Sequence, residues 1–435
     1  MKPSAIFTFG LALALAPLSA RAAASDFAIL HARAWTGASQ PIENATIVVR
    51  DGKIAAVVSG LAGPAGLQVI DAEGRTVTPG LMNASTQLGL IEVSGVDETA
   101  DAAVKASPLG AAFDVQYALN ANSEVIEVAR ADGVTRAIAA PTASGASPFS
   151  GQAALVHLMS SGETVLERPR AALFASIGGG SDASAGGSRA AQWQLLRNAL
   201  DEARRYSAQS KSSLPARDQL LNHLDAEALA PVLEGRAPLV IAVDRESDIL
   251  QAIQLGEDDK IRIIVQGGAE AWRAADRLAA AKVPVILDPF ANLPTSFDEI
   301  GARLDNAAIL QRHGVLIAFA LTDTFSTLYR SLEAGLALRE AAGLAVANGL
   351  PWPAALDAIT VNPSRIFGLA DHYGALAAGQ DADLVVWNGD PLDVSGWPDM
   401  VFVGGQPASL QTRQTRLHDR YTAAHRAQPF GPAYR

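Results

Sequence analysis

The feature that most constrains this chain is a recurrence. Six short apolar runs, GVTRAIAAP, PRAALFAS, PLVIAVD, KIRIIVQG, VPVILDP and GVLIAFALTD, follow one another between residues 133 and 323, each bounded by Gly, Pro or charge. Runs of this kind suit parallel strands buried on both faces. Between them SDILQAIQL, AEAWRAADRLAAA and TLYRSLEAGLALREAA carry apolar stripes at helical period. Repeated βα units of this length predict an α/β chain built on a (β/α)8 TIM barrel. A seventh strand ends in TVTPGLMN, and an eighth is ambiguous around QAALVHLM. A doubly wound sheet is the alternative, but no Gly-rich phosphate fingerprint follows a first strand. The Gly/Ser-rich SIGGGSDASAGGSR, residues 176–189, reads as a mobile loop at the barrel mouth.

The two ends of the chain read differently. FAILHARAWTG and ENATIVVRDGKIAAVVSG alternate apolar and polar residues, and Asp51-Gly52 is the two-residue signature of a type I′ hairpin. DADLVVWNG and DMVFVGGQP repeat that β-rich texture near the C-terminus, so both ends are expected to build one small β-sandwich. A chain of 435 residues has room for a barrel and such a satellite. The expected division is a signal peptide over 1–24, the N-terminal segment of the sandwich over 25–78, and the barrel over 79–370. The C-terminal segment of the sandwich follows over 371–435, together with a tail.

The first residues, MKPSAIFTFGLALALAPLSARAAAS, have the build of a cleaved secretory signal: one Lys, an apolar run, then small residues. This predicts a periplasmic or secreted protein, and no later run reaches the ~18 apolar residues of a membrane span. Loss of Lys2 and Arg21 with the signal would move the formal charge from −11 to −13. A chain so acidic repels nucleic acid and anionic membrane. It has no cysteine, which excludes disulfides and thiolate chemistry.

Barrels place their working residues at the C-terminal ends of strands. Those ends carry Asn83, Ser85 and Gln87; Ala242, Asp244 and Arg245; Gln266 and Gly267; Asp288; and Thr322 and Asp323. On four stretches the chain resembles the amidohydrolase superfamily, in particular its imidazolonepropionase-like exported branch. These are ENATIVVRDGKIAAV, GRTVTPGLMNASTQLGL, VDRESDILQAIQLGEDDKIRIIVQGGAE and VNPSRIFGLADHYGALAAGQDADLVVWNGDPLD. The last is the most specific, and in that family it leads from the barrel back into the terminal β-domain.

The resemblance implies hydrolysis of non-peptide C–N bonds by water on zinc or another divalent metal. Its ligands are an H-x-H pair after strand one, Lys or Glu after strand four, His after strands five and six, and Asp after strand eight. Carried over, these positions hold Ser85 and Gln87, then Ser176 with no Lys or Glu, then Ala242 and Gly267; Asp323 alone is retained. The seven histidines read as surface or capping groups, with His157 the one placed near the mouth. An oxygen-only site of Asp323 with Glu92, Asp97 or Asp288 is the remaining metal arrangement.

The expectation is therefore a degenerate metal centre with no cofactor. Ser85, Gln87, Asp244, Arg245, Gln266 and Asp288 become candidate ligand-binding groups, with Asp323 the catalytic candidate. Gln87 and Gln266 can hydrogen-bond an amide or hydroxyl, and one of Asp244 and Arg245 can face inward. The protein would be a non-catalytic binder of a small polar molecule or peptide, or a subunit in a homo-oligomer or beside an active paralogue. The alternative is an active exported hydrolase of cyclic amides or dipeptides using Asp323.

Overall fold

The computed structural model describes residues 26–37, 40–60, 63–93, 95–104, 109–143, 147–159, 165–178, 188–208, 220–321 and 334–427. The signal-like start, most of the Gly/Ser-rich stretch and Asp323 lie outside these residues.

The chain ends form one sheet. Its strands are β1 (Phe27–Ala34), β2 (Ile42–Arg50), β3 (Lys53–Ser59), β4 (Gln68–Asp71) and β5 (Thr76–Pro79) from the N-terminal side. The barrel follows with β6 (Leu81–Thr86), β7 (Val134–Ala139), β8 (Phe149–His157), β9 (Leu166–Ser176), β10 (Leu239–Val243), β11 (Ile263–Gly267), β12 (Val285–Leu287) and β13 (Ile317–Phe319). The chain then returns to the first sheet with β14 (Leu384–Asn388), β15 (Trp397–Val403) and β16 (Gln406–Pro407). The terminal sheet has the order β16-β15-β14-β5-β1-β2-β3, with β4 on β1, so β14 and β5 join the two halves. The Asp51-Gly52 turn links β2 to β3 with positive φ at both residues, +49° and +73°, as a type I′ turn requires.

The barrel sheet runs β13 to β6 in unbroken chain order. Apolar residues point both ways along its strands, as the continuous apolar runs require. In β10, Val240 joins Met82, Ile138, Leu155, Phe174, Ile264, Ile286 and Ala318 inside the barrel. Leu239, Ile241 and Val243 face the surrounding helices. Those helices include α1 (Glu124–Ala131), α2 (Arg189–Ala208), α3 (His223–Leu233), α4 (Glu246–Asp259), α5 (Ala275–Ala281) and α6 (Asn306–Arg312). At the seam between β13 and β6, backbone from a later loop covers both edges: Phe319 N donates to Ala358 O (3.0 Å) and Met82 N to Ile359 O (2.8 Å). Edges so covered cannot template another chain.

The ambiguous stretch around QAALVHLM is strand β8, and it completes eight. It runs antiparallel to both neighbours, unlike the other barrel strands. The reason is connection length. Only residues 140–148 and 158–165 separate it from β7 and β9, whereas a parallel return needs about a dozen residues or more. This reversal corrects the placement of His157. It leaves β8 at the end opposite the mouth, where Nε2 lies 3.0 Å from Asp383 Oδ2.

Candidate functional site

A cavity of about 170 Å³ opens at the C-terminal ends of β10, β11 and β12. Ala242, Asp244, Gln266, Gly267 and Asp288 lie in its wall, so three of the expected ligand-binding residues meet there. The loop after β12 and the start of α6 complete it with Thr295, Glu299, Arg303 and Asn306. These four were not singled out from the sequence, because a Pro- and charge-rich loop has no periodicity. Its position after a barrel strand was the available signal.

The remaining candidates fall elsewhere. Ser85 and Gln87 are buried at the tip of β6, outside this wall, and the Ser85 N–H donates to Asn83 Oδ1 at 3.1 Å. Arg245 is exposed at the N-cap of α4, also outside it. Of the acidic alternatives, Glu92 accepts the Glu124 N–H at 2.9 Å at the start of α1, and Asp97 begins an exposed 3-10 turn.

Asp244 follows β10 directly, and the Ala269 N–H donates to its Oδ1 at 3.2 Å. Burial pushes its carboxyl up to about 6, against the pull of that N–H, and the charges of Glu299 and Asp298 add to the rise. Asp288 is 7% exposed and accepts the Phe290 N–H at 3.0 Å. Glu299 accepts from the Thr295 N–H and hydroxyl, both at 2.8 Å, which folds the loop over the cavity. Asn306 donates Nδ2 to Gly268 O at 2.9 Å.

Two positions where the family places imidazoles, Ala242 and Gly267, open directly into the cavity. At Gly267 a side chain would be strained and would displace Asp244. Its φ is +86°, and a Cβ there would stand 2.7 Å from Asp244 Oδ1. Methyl, hydrogen, hydroxyl and amide groups supply no imidazole nitrogen, so a histidine-held divalent centre does not fit these positions. Among the described residues no three His, Asp or Glu side chains converge on one point.

Residues 244–408 match the amidohydrolase family. Among curated proteins, the chain is 44% identical over 57 residues to an amidohydrolase of Hapsidospora irregularis, tasK, covering 13% of this chain and 6% of that protein. It is 36% identical over 70 residues to an imidazolonepropionase of Cupriavidus necator, covering 16% of each. The matched segments thus span a small fraction of these relatives. Among solved structures, an amidohydrolase from Thermotoga maritima superposes with a TM-score of 0.78 at 24% identity, over 88% of this chain and 99% of that one. That likeness is one of fold.

The family match overturns the expectation that no cofactor belongs to this protein, because the family generally binds a divalent metal. No helix among the described residues is long and apolar enough to cross a membrane. Residues 244–408 thus resemble the amidohydrolase family, and they are set in a barrel whose fold is shared with a solved amidohydrolase structure.

Proposed function

We propose that this protein binds a small polar molecule at the barrel mouth and does not hydrolyse it by the histidine-centred chemistry of its family. The observation that supports this reading is the set of groups at the inherited ligand positions, Ser85, Gln87, Ala242 and Gly267. Two of them line the cavity wall, so room once taken by imidazoles would serve a ligand instead. The signal-like start supports export to the periplasm or beyond, with 79–370 as the barrel unit between the two segments of a terminal β-domain. The short match to an imidazolonepropionase supports a place near that branch.

The test combines turnover with binding. Cyclic amides and dipeptides, offered with added zinc or manganese, should show no hydrolysis above the background rate. A panel of small polar fragments should show saturable binding that weakens when Gln266→Ala alters the cavity. Hydrolysis abolished by Asp323→Asn would overturn the reading in favour of an active enzyme with a rearranged site.

A further inference from the structure

A second cavity, of about 360 Å³, lies at the opposite end of the barrel from the mouth. Its wall is made by the C-terminal half of α4, the segments that lead into β11 and β12, and the short helix Val361–Ile366. Arg262, Lys282 and Arg365 stand in that wall with a single acid, Glu257, and all four are exposed. Acids outnumber bases in this chain by 45 to 34, so three cations against one carboxylate reverse the general balance locally.

The cations are not consumed by the fold. Among the described residues none of the three comes within ion-pair distance of a carboxylate. The acids that follow Glu257 on α4 turn away: Asp258 pairs with Arg197 (3.2 Å) and Asp259 with Arg204 (2.8 Å), both on α2. Lys282 is not needed as a helix cap, because backbone already closes α5: Lys282 N–H donates to Ala279 O (3.1 Å) and Val283 N–H to Leu278 O (3.0 Å). Arg262 spends one N–H on Ile366 O at 3.1 Å, a small part of what a guanidinium can donate. Behind the wall the charge of Arg168 on β9 adds to that of Arg262, and Asp357 offsets it by facing Arg365. The balance of the cavity is therefore three cations less one acid, close to two positive charges. Ala281, Pro284 and Leu316, each half-buried, give the same wall an apolar side.

We infer that this basal cavity binds a small organic dianion through Arg262, Lys282 and Arg365. Guanidinium groups match the paired oxygens of a carboxylate or phosphate, and an ammonium adds a point charge. Two negative charges balance the wall, and a short carbon body rests on its apolar side. Inorganic anions lack that body, and a singly charged ligand leaves one cation of the cluster uncompensated. The site is separate from the mouth and does not depend on what the mouth does.

Calorimetric titration of the full chain at low ionic strength and about pH 8, where a phosphate monoester is a dianion, tests this. The probes are succinate and phenyl phosphate, each set against a singly charged counterpart, butyrate and phenyl sulfate. At least one dianion should bind at least ten-fold more tightly than its counterpart. Succinate alone assigns a dicarboxylate, phenyl phosphate alone a phosphate monoester, and both together the shared dianion chemistry. Lys282→Gln and Arg365→Gln, at two exposed positions, should each weaken that binding about five-fold. Gln266→Ala at the mouth should leave it unchanged. Counterparts that bind as tightly as the dianions, binding that both basal variants leave intact, or binding of neither dianion overturns the assignment.

Discussion

At the scale of single residues, Gly267 carries the most consequence. Its left-handed backbone favours glycine, and Asp244 fills the space a side chain would need. Reinstating the family's residue there by Gly267→His should therefore lower stability by about 1–3 kcal/mol through backbone strain alone. It should create no zinc site, because Asp244 must first move. Chemical denaturation and metal analysis of the purified variant check both expectations; undiminished stability with stoichiometric zinc would contradict the geometry. Asp244, Gln266 and Asp288 were legible from the sequence because each sits at the end of an apolar run, and barrel geometry gathers such ends. Asn306 and Glu299 were not legible. They are brought to the cavity by the path of a loop that no periodicity encodes.

At the scale of elements, strand identity was readable and strand direction was not. FSGQAALVH is apolar whichever way it runs, so its composition could not report that β8 is reversed. The short links on either side of it were the signal, since they allow hairpins only. The reversal has a functional corollary. Were β8 parallel, His157 would stand at the mouth; as it is, His157 pairs with the buried Asp383 at the other end. His157→Ala should lower stability by about 1–3 kcal/mol, since a buried carboxylate loses a donor, and should leave ligand affinity at the mouth unaltered. Urea denaturation of the variant, and its binding of the small polar fragments that the unaltered protein takes, test this. A loss of affinity with stability intact would place His157 at the mouth after all.

At the scale of the whole molecule, the two sheets share one core and one charge network. Val385, Trp387, Val401 and Val403 of the terminal sheet pack with Leu81, Val134 and Val156 of the barrel, and Trp387 Nε1 donates to Thr78 Oγ1 at 2.8 Å. Arg136 on β7, 2% exposed, reaches Asp381 at 2.6 Å, Glu167 at 2.8 Å and Asp383 at 3.4 Å. It also lies over the Tyr373 ring, 4.5 Å from its centroid. The stretch that crosses back from barrel to sheet, ALAAGQDADLVVW, thus delivers two acids to a cation the barrel has already buried. Burial by itself would raise the Asp383 carboxyl. The charges of His157 and Arg136 and the Gly404 N–H outweigh it and hold the group at about 2. Its folded-state pKa is depressed, so its contribution is present above the ordinary carboxylate value and is lost as pH falls from about 4 to about 2. A shift of this size corresponds to about 2 kcal/mol. The unaltered protein should therefore exceed Asp383→Asn in stability at pH 6, and the gap should close by that amount on acidification. Near-ultraviolet circular dichroism and calorimetry should report one shared transition for barrel and sheet in both proteins, because the network spans them. A gap constant with pH, or two separable transitions with only one moved by the substitution, would show that Asp383 does not join the two units.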